Sequence, residues 1–121
     1  MKSFLLGAVA AMSLPMMAMA DPAYFIAQIQ VDDWDRFIGE YGSVALPTLM
    51  EHNAKILVGG PGATVLEGQW AGNHTVVLEF ENREALDTWY ASPEYQAARP
   101  FRDATTSLNN IVATEAFVMP E

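Results

Sequence analysis

Residues 76–103 read VVLEFENREALDTWYASPEYQAARPFRD, and their pattern decides the fold. Val76, Leu78 and Phe80 alternate with Val77 and Glu79, the period of two expected of a strand with one face on a core. Asn82 follows as a helix N-cap, because its short side chain accepts from a free backbone amide. Glu84 then places negative charge at the positive end of the helix dipole. Leu86, Trp89 and Tyr90 form the apolar side of that helix. Ser92-Pro93-Glu94 starts another: a serine N-cap, a proline where no N–H is needed, and an acid after it. Replacing Ser92 by Ala should cost about 1 kcal/mol. The second helix is expected to reach about Thr106.

Working outward, residues 23–31 (AYFIAQIQV) alternate strictly. Phe25, Ala27, Ile29 and Val31 make an apolar face, and Tyr24, Ile26, Gln28 and Gln30 make a mixed one, so this is a strand. Asp32 and Asp33 cap a helix whose face is Trp34, Phe37, Ile38 and Tyr41. Gly42 and Pro47 predict a break or kink, since Pro47 has no backbone donor. Leu46, Leu49 and Met50 carry the apolar stripe on to a stop at His52-Asn53. Lys55–Val58 is a short strand broken by Gly59-Gly60-Pro61-Gly62, and extended structure is expected to resume over Thr64–Gln69. Ala71-Gly72-Asn73 is a turn, His74–Phe80 the third strand and Ile111–Val118 the last. The order is βαββαβ. It predicts an α+β, ferredoxin-like fold, with two helical segments on one face of a four-stranded antiparallel sheet.

The chain has 121 residues, and its start has the layout of a secretory signal peptide. Lys2 is a short positive start, Phe4–Leu14 is apolar, and Ala18-Met19-Ala20 precedes Asp21 as an Ala-x-Ala cleavage site. The expected division is a leader over 1–20 and a single domain over 21–121, exported to the periplasm or secreted. Loss of Lys2 leaves 5 basic against 15 acidic residues, a net −10. Acids spread along the chain argue against nucleic acid, and against a membrane surface after cleavage, because both need clustered Lys or Arg. There are no cysteines, which excludes thiolate metal sites, iron–sulfur ligation and thiol nucleophiles.

The chain resembles the family catalogued as domain of unknown function 1330. The resemblance covers nearly all of the part after residue 20. It rests on Tyr24-Phe25-Ile26-Ala27, Leu66-Glu67-Gly68, Val77-Leu78-Glu79-Phe80, and above all Trp89-Tyr90-x-Ser92-Pro93-Glu94-Tyr95-Gln96 with Pro100 and Arg102. It implies a dimeric α/β barrel in which two ferredoxin-like sheets pack face to face. The export signal is a departure from many relatives. Independently, a half-apolar second sheet face (Tyr24, Ile26 and Val77 beside Gln28 and Glu79) would be a large exposed patch, and a second copy is the simplest cover.

Glu79 is the leading candidate for chemistry. It points away from the helices, with Gln28 expected as its sheet neighbour. The pair could grip a polar ligand, or Glu79 could act as a base; the plainer alternative is an ion pair at the dimer face. Arg99 and Arg102, three apart on a helix, could bind an anion or pair with Glu94 or Asp103. Trp70, beside a turn, is a pocket or interface candidate, while Trp89 and Tyr90 have core spacing. Together with Tyr95 and Phe101 these aromatics could line a pocket between sheet and helices. His52 and His74 show no metal-ligand spacing, so neither metal nor cofactor is expected. The glycines at 59, 60 and 62 lack the lysine and helix of a phosphate loop. Asn73-His74-Thr75 matches a glycosylation sequon, a short pattern with little specificity.

The first expectation is an exported homodimer binding a small organic ligand in a cleft near the dimer face, lined by Gln28, Glu79 and Trp70. A cofactor-independent oxygenase or isomerase with Glu79 as base is the alternative; a structural or interaction protein is the third.

Overall fold

A computed structural model describes residues 21–120. The leader expected over 1–20 lies outside the described residues. Four strands form one antiparallel sheet: β1 (Ala23–Val31), β2 (Lys55–Gly60), β3 (His74–Phe80) and β4 (Thr106–Glu115), in the order β2-β3-β1-β4. The expected βαββαβ order places the two connecting helical segments on one face, as in a ferredoxin-like fold. β1 is central and its burial alternates along its whole length, with Ala23, Phe25, Ala27, Ile29 and Val31 buried. In register, Tyr24, Ile26 and Gln28 stand opposite Glu79, Val77 and Thr75 of β3, and opposite Thr114, Val112 and Asn110 of β4.

The first helix, α1, has three consecutive stretches: Trp34–Arg36 is α-helical, Phe37–Gly42 is π-helical and Ser43–Glu51 is α-helical. Asp33 caps it by accepting from the Arg36 amide at 3.1 Å. Of the break or kink expected at Gly42 and Pro47, the break does not occur: the helix changes from π to α after Gly42 and continues through Pro47. Phe37, Tyr41, Ala45 and Leu49 recur every four residues. In a 3.6-residue helix that row rotates by about 40° per step. A wider turn with i→i+5 bonds reduces the rotation and keeps the row facing the sheet. Pro47 offers the Ser43 carbonyl, four residues back, no N–H; separately, the Ser43 hydroxyl donates to Gly39 O at 2.6 Å.

Two further helices, α2 (Arg83–Ala91) and α3 (Pro93–Thr105), meet at Ser92. Asn82 accepts from the Ala85 amide at 2.7 Å, and Ser92 Oγ accepts from the Tyr95 amide at 3.2 Å. Both caps are those the sequence predicts. The core is aromatic: Trp89 packs on Phe25, Phe80 and Tyr95, with ring centroids 5.3, 5.3 and 4.2 Å away. Each such pair contributes about 0.5–1.5 kcal/mol beyond its buried area. Trp89 Nε1 donates to Thr48 Oγ1 at 2.9 Å, tying α2 to α1.

Two strand expectations are corrected. Thr64–Gln69 does not rejoin the sheet, and β2 ends at Gly60. Gly60 is paired with Thr75, one residue from the start of β3, so no further length of β3 is left to pair with that segment. The bulge lies instead between Ile56 and Val58, which pair with consecutive residues Leu78 and Val77 and leave Leu57 extra. β4 begins at Thr106, five residues before Ile111, because the chain turns extended directly at the α3 C-cap (φ −131°, ψ 155°).

At the other end of the β1–β3 pair, Asn73 imitates a strand residue. Its Nδ2 donates to Val31 O at 2.9 Å, its Oδ1 accepts from Val31 N at 2.8 Å, and its own N–H donates to Ile29 O at 2.9 Å. Gly72 beside it has φ +82°, and a Cβ there would collide with the Ile29 backbone.

Candidate functional site

The two faces of the sheet offer different surfaces. The open face is laid out in rows, because directly opposed residues share a face. One row is Lys55, Glu79, Tyr24 and Thr114; the next is Val58, Val77, Ile26 and Val112; the third is Gly60, Thr75, Gln28 and Asn110. The middle row is an unbroken apolar stripe across all four strands.

Glu79 and Gln28 therefore lie in the outer rows. Glu79 is opposite Tyr24, and Gln28 is four residues further along β1, about 13 Å away. They are not sheet neighbours, as the sequence reading supposed. Gln28 Oε1 instead accepts from Asn110 Nδ2 at 3.4 Å, and Trp70 Nε1 donates to Thr75 Oγ1 at 3.0 Å. Trp70, Gln28 and Asn110 thus gather at one end of the open face and Glu79 stands at the other.

On the helix side, a cavity of about 250 Å³ lies between α1 and the sheet. Phe25, Ile29, Ala45, Leu49, Val76 and Leu78 form apolar walls, while the exposed Ile38, Leu46 and Ile56 lie towards solvent. Tyr41, His74 and Arg102 are the polar members of the lining. Of the residues picked from sequence as ligand contacts, only Arg102 lines this cavity.

Arg102 is 3% exposed, near the end of α3. Its Nη1 donates to Tyr95 Oη at 3.1 Å and its Nη2 to Asp103 Oδ1 at 3.4 Å. Nε is buried without a hydrogen bond, although Asp103 Oδ1 is 3.4 Å away, out of line. The Tyr95 and Tyr41 hydroxyls are 2.8 Å apart. Burial above all, then the adjoining Tyr95, pushes the Tyr41 phenol well above its ordinary value of 10.0.

His74 opens β3, its ring edge-on to Trp34 and Phe37 with centroids 5.3 Å away in each case. Burial holds its imidazole below the ordinary 6.5, so it is neutral at pH 7, and its Nδ1 is buried without a partner. Arg99 faces elsewhere: its guanidinium sits over the Tyr90 ring at 5.7 Å and donates to Gln96 Oε1 at 3.3 Å.

Among the described residues, no cluster of three or more His, Cys, Asp or Glu could hold a metal. No described helix is long and apolar enough to cross a membrane. What the cavity can do is surround an apolar molecule and meet its polar group with Arg102, Tyr41 or His74. The tyrosine pair was not singled out from sequence: Tyr41 read as part of an apolar helix face and Tyr95 as one of several aromatics that could line a pocket. The available signal was their hydroxyls, which need partners when buried.

Solved structures share this fold at low identity. A protein of unknown function from Rhodopseudomonas palustris gives a TM-score of 0.67 at 13% identity, over 96% of this chain and 94% of that one. A dimeric protein of unknown function and ferredoxin-like fold from Bacteroides fragilis gives 0.54 at 15% identity, over 82% and 100%. A proposed antibiotic biosynthesis monooxygenase from Caulobacter crescentus gives 0.55 at 16% identity, over 83% and 93%. None of the curated proteins matches this chain. Residues 22–116, which include every strand and helix described above, match the family described as "Domain of unknown function (DUF1330)", and the chain belongs to that family.

Proposed function

We propose that this protein binds a small, largely apolar organic molecule in the cavity between α1 and the sheet, acting as an exported homodimer. The observation that carries the reading is the cavity itself. Its walls are apolar, and Tyr41, His74 and Arg102 are the polar residues that border it. A cavity of roughly 150 Å³ accepts benzene, so one of about 250 Å³ has room for a bicyclic ring or a short acyl chain. The apolar stripe on the open face supports self-association, because a second copy covers it with the same surface. Export is supported by Lys2, the apolar run Phe4–Leu14 and the Ala-x-Ala site before Asp21.

Naphthalene, titrated while NMR resonances of Phe25 and Trp89 are followed, tests the binding reading. Those resonances should shift in the native protein and stay fixed in Ala45→Leu, which fills the cavity. No shift in the native protein, or an equal shift in the filled variant, overturns it.

Catalysis without a cofactor is a second reading, favoured by the neutral His74 with its unpartnered buried nitrogen. Glu79, the base expected from sequence, faces away from this cavity, so a reaction through it needs a separate site on the open face.

A further inference from the structure

We propose that the ligand of the helix-side cavity is an organic acid: a small arene or short acyl chain whose carboxylate is anchored by Arg102 and Tyr41. This rests on the binding reading above and adds the chemical class.

The argument is an inventory of donors and acceptors. A guanidinium has five N–H donors and no acceptor. Around Arg102, the Tyr95 oxygen takes one at 3.1 Å and Asp103 takes another at 3.4 Å. Nε has no hydrogen bond although the residue is only 3% exposed. The Asp103 side chain is 56% exposed, so its charge is largely solvated and compensates poorly for a buried cation. A buried charge without a full set of partners is costly. An incoming carboxylate supplies the counter-charge that the solvated Asp103 does not, and its two oxygens match the guanidinium fork.

The tyrosine pair extends the same logic. Arg102 is always a donor, so Tyr95 Oη is its acceptor. Tyr95 is then free to donate its own proton to Tyr41 Oη, 2.8 Å away. That order leaves Tyr41, a lining residue, with its own O–H proton to give. With the protons in that order, Arg102 and Tyr41 offer a ligand donors and no acceptor. An ionised carboxylate accepts only and fits them; an ammonium donates only and does not. The remaining walls are apolar and set the rest of the ligand. The protein as a whole carries a net charge of −9, so its long-range field repels an acid. Selection is by contact, and it should survive physiological salt, where screening acts beyond about 8 Å.

Calorimetric titration of the protein with 2-naphthoate, 2-naphthylmethanol and 2-naphthylmethylamine tests the class at nearly constant shape. The acid should bind about tenfold or more tightly than the alcohol, and the amine weakest. Arg102→Met should bring acid and alcohol together, and Tyr41→Phe should narrow the gap in part. If Arg102→Met does not fold, the native comparison and Tyr41→Phe still decide. Equal affinities for acid and alcohol in the native protein overturn the acid class while leaving the cavity reading intact. Failure of all three probes and of naphthalene overturns both. Undiminished naphthoate binding in Ala45→Leu places the acid elsewhere and also overturns the proposal.

Discussion

One hydroxyl joins two helices. Ser92 Oγ accepts from the Tyr95 amide at 3.2 Å and donates to Trp89 O at 2.7 Å, in a residue 8% exposed. Ser92→Ala leaves the buried Tyr95 amide without an acceptor, while Trp89 O keeps the Ser92 backbone N–H at 3.1 Å. Because that amide is buried, the loss should be about 1–2 kcal/mol, in the upper part of the capping range; urea denaturation measures it. His74 and Tyr41 set opposite pH limits. The folded His74 has the lower affinity for protons, so the unfolded chain gains a proton first as pH falls. Its contribution is complete above about pH 6.5 and declines as pH drops through the folded value. His74→Phe should flatten that part of the stability curve, as seen in Tm against pH. Tyr41 holds its proton more tightly when folded, so its contribution is present below about pH 10 and is lost as pH climbs beyond.

The elements most legible in the sequence are those whose pattern and caps agree. β1, β3, Asn82 and Ser92 stand where alternation and capping chemistry put them, because each depends on neighbours within a few residues. What escaped depends on partners distant in the chain. Thr64–Gln69 has strand-like residues, yet β3 has no unpaired length to receive it, and no local pattern reveals that. Pro47 looks like a break, but the π stretch before it keeps Tyr41, Ala45 and Leu49 in line. Arg102 was readable as a candidate, being a cation on a helix, and so was its neighbour Asp103; its other acceptor is Tyr95, about two helical turns away, which in turn meets Tyr41, 54 residues from Tyr95. The turn before β3 was recognised without its reason. Gly72 has φ +82° and lies against Ile29, so Gly72→Ala should cost at least about 2 kcal/mol, from both strain and collision. Thermal denaturation checks this, with Gly62→Ala, which meets nothing within 4 Å, as the control expected to change little.

Taken as a body, the domain has a packed, polar-tipped side beneath its helices and a striped side that is bare in one copy. Ile26 sits near the centre of the stripe, paired with Val77 and Val112. Ile26→Lys should yield a folded monomer by sedimentation velocity; an unchanged mass would remove the stripe from the interface. Glu79→Gln addresses the outer row. If Glu79 is an interface group, the substitution moves the monomer–dimer equilibrium and leaves naphthalene binding intact, and an unaltered equilibrium argues against that role. The end of the β1–β3 pair should also limit how long the molecule lasts. Asn73 differs from aspartate by one group, an NH₂ in place of an oxygen. Slow hydrolysis of that amide would set a carboxylate against Val31 O, two acceptors face to face, where 2.9 Å now separates a donor from its acceptor. Folding protects the amide by holding both its ends, so chemical ageing should begin in the unfolded fraction, and each deamidated chain would be poorly able to refold.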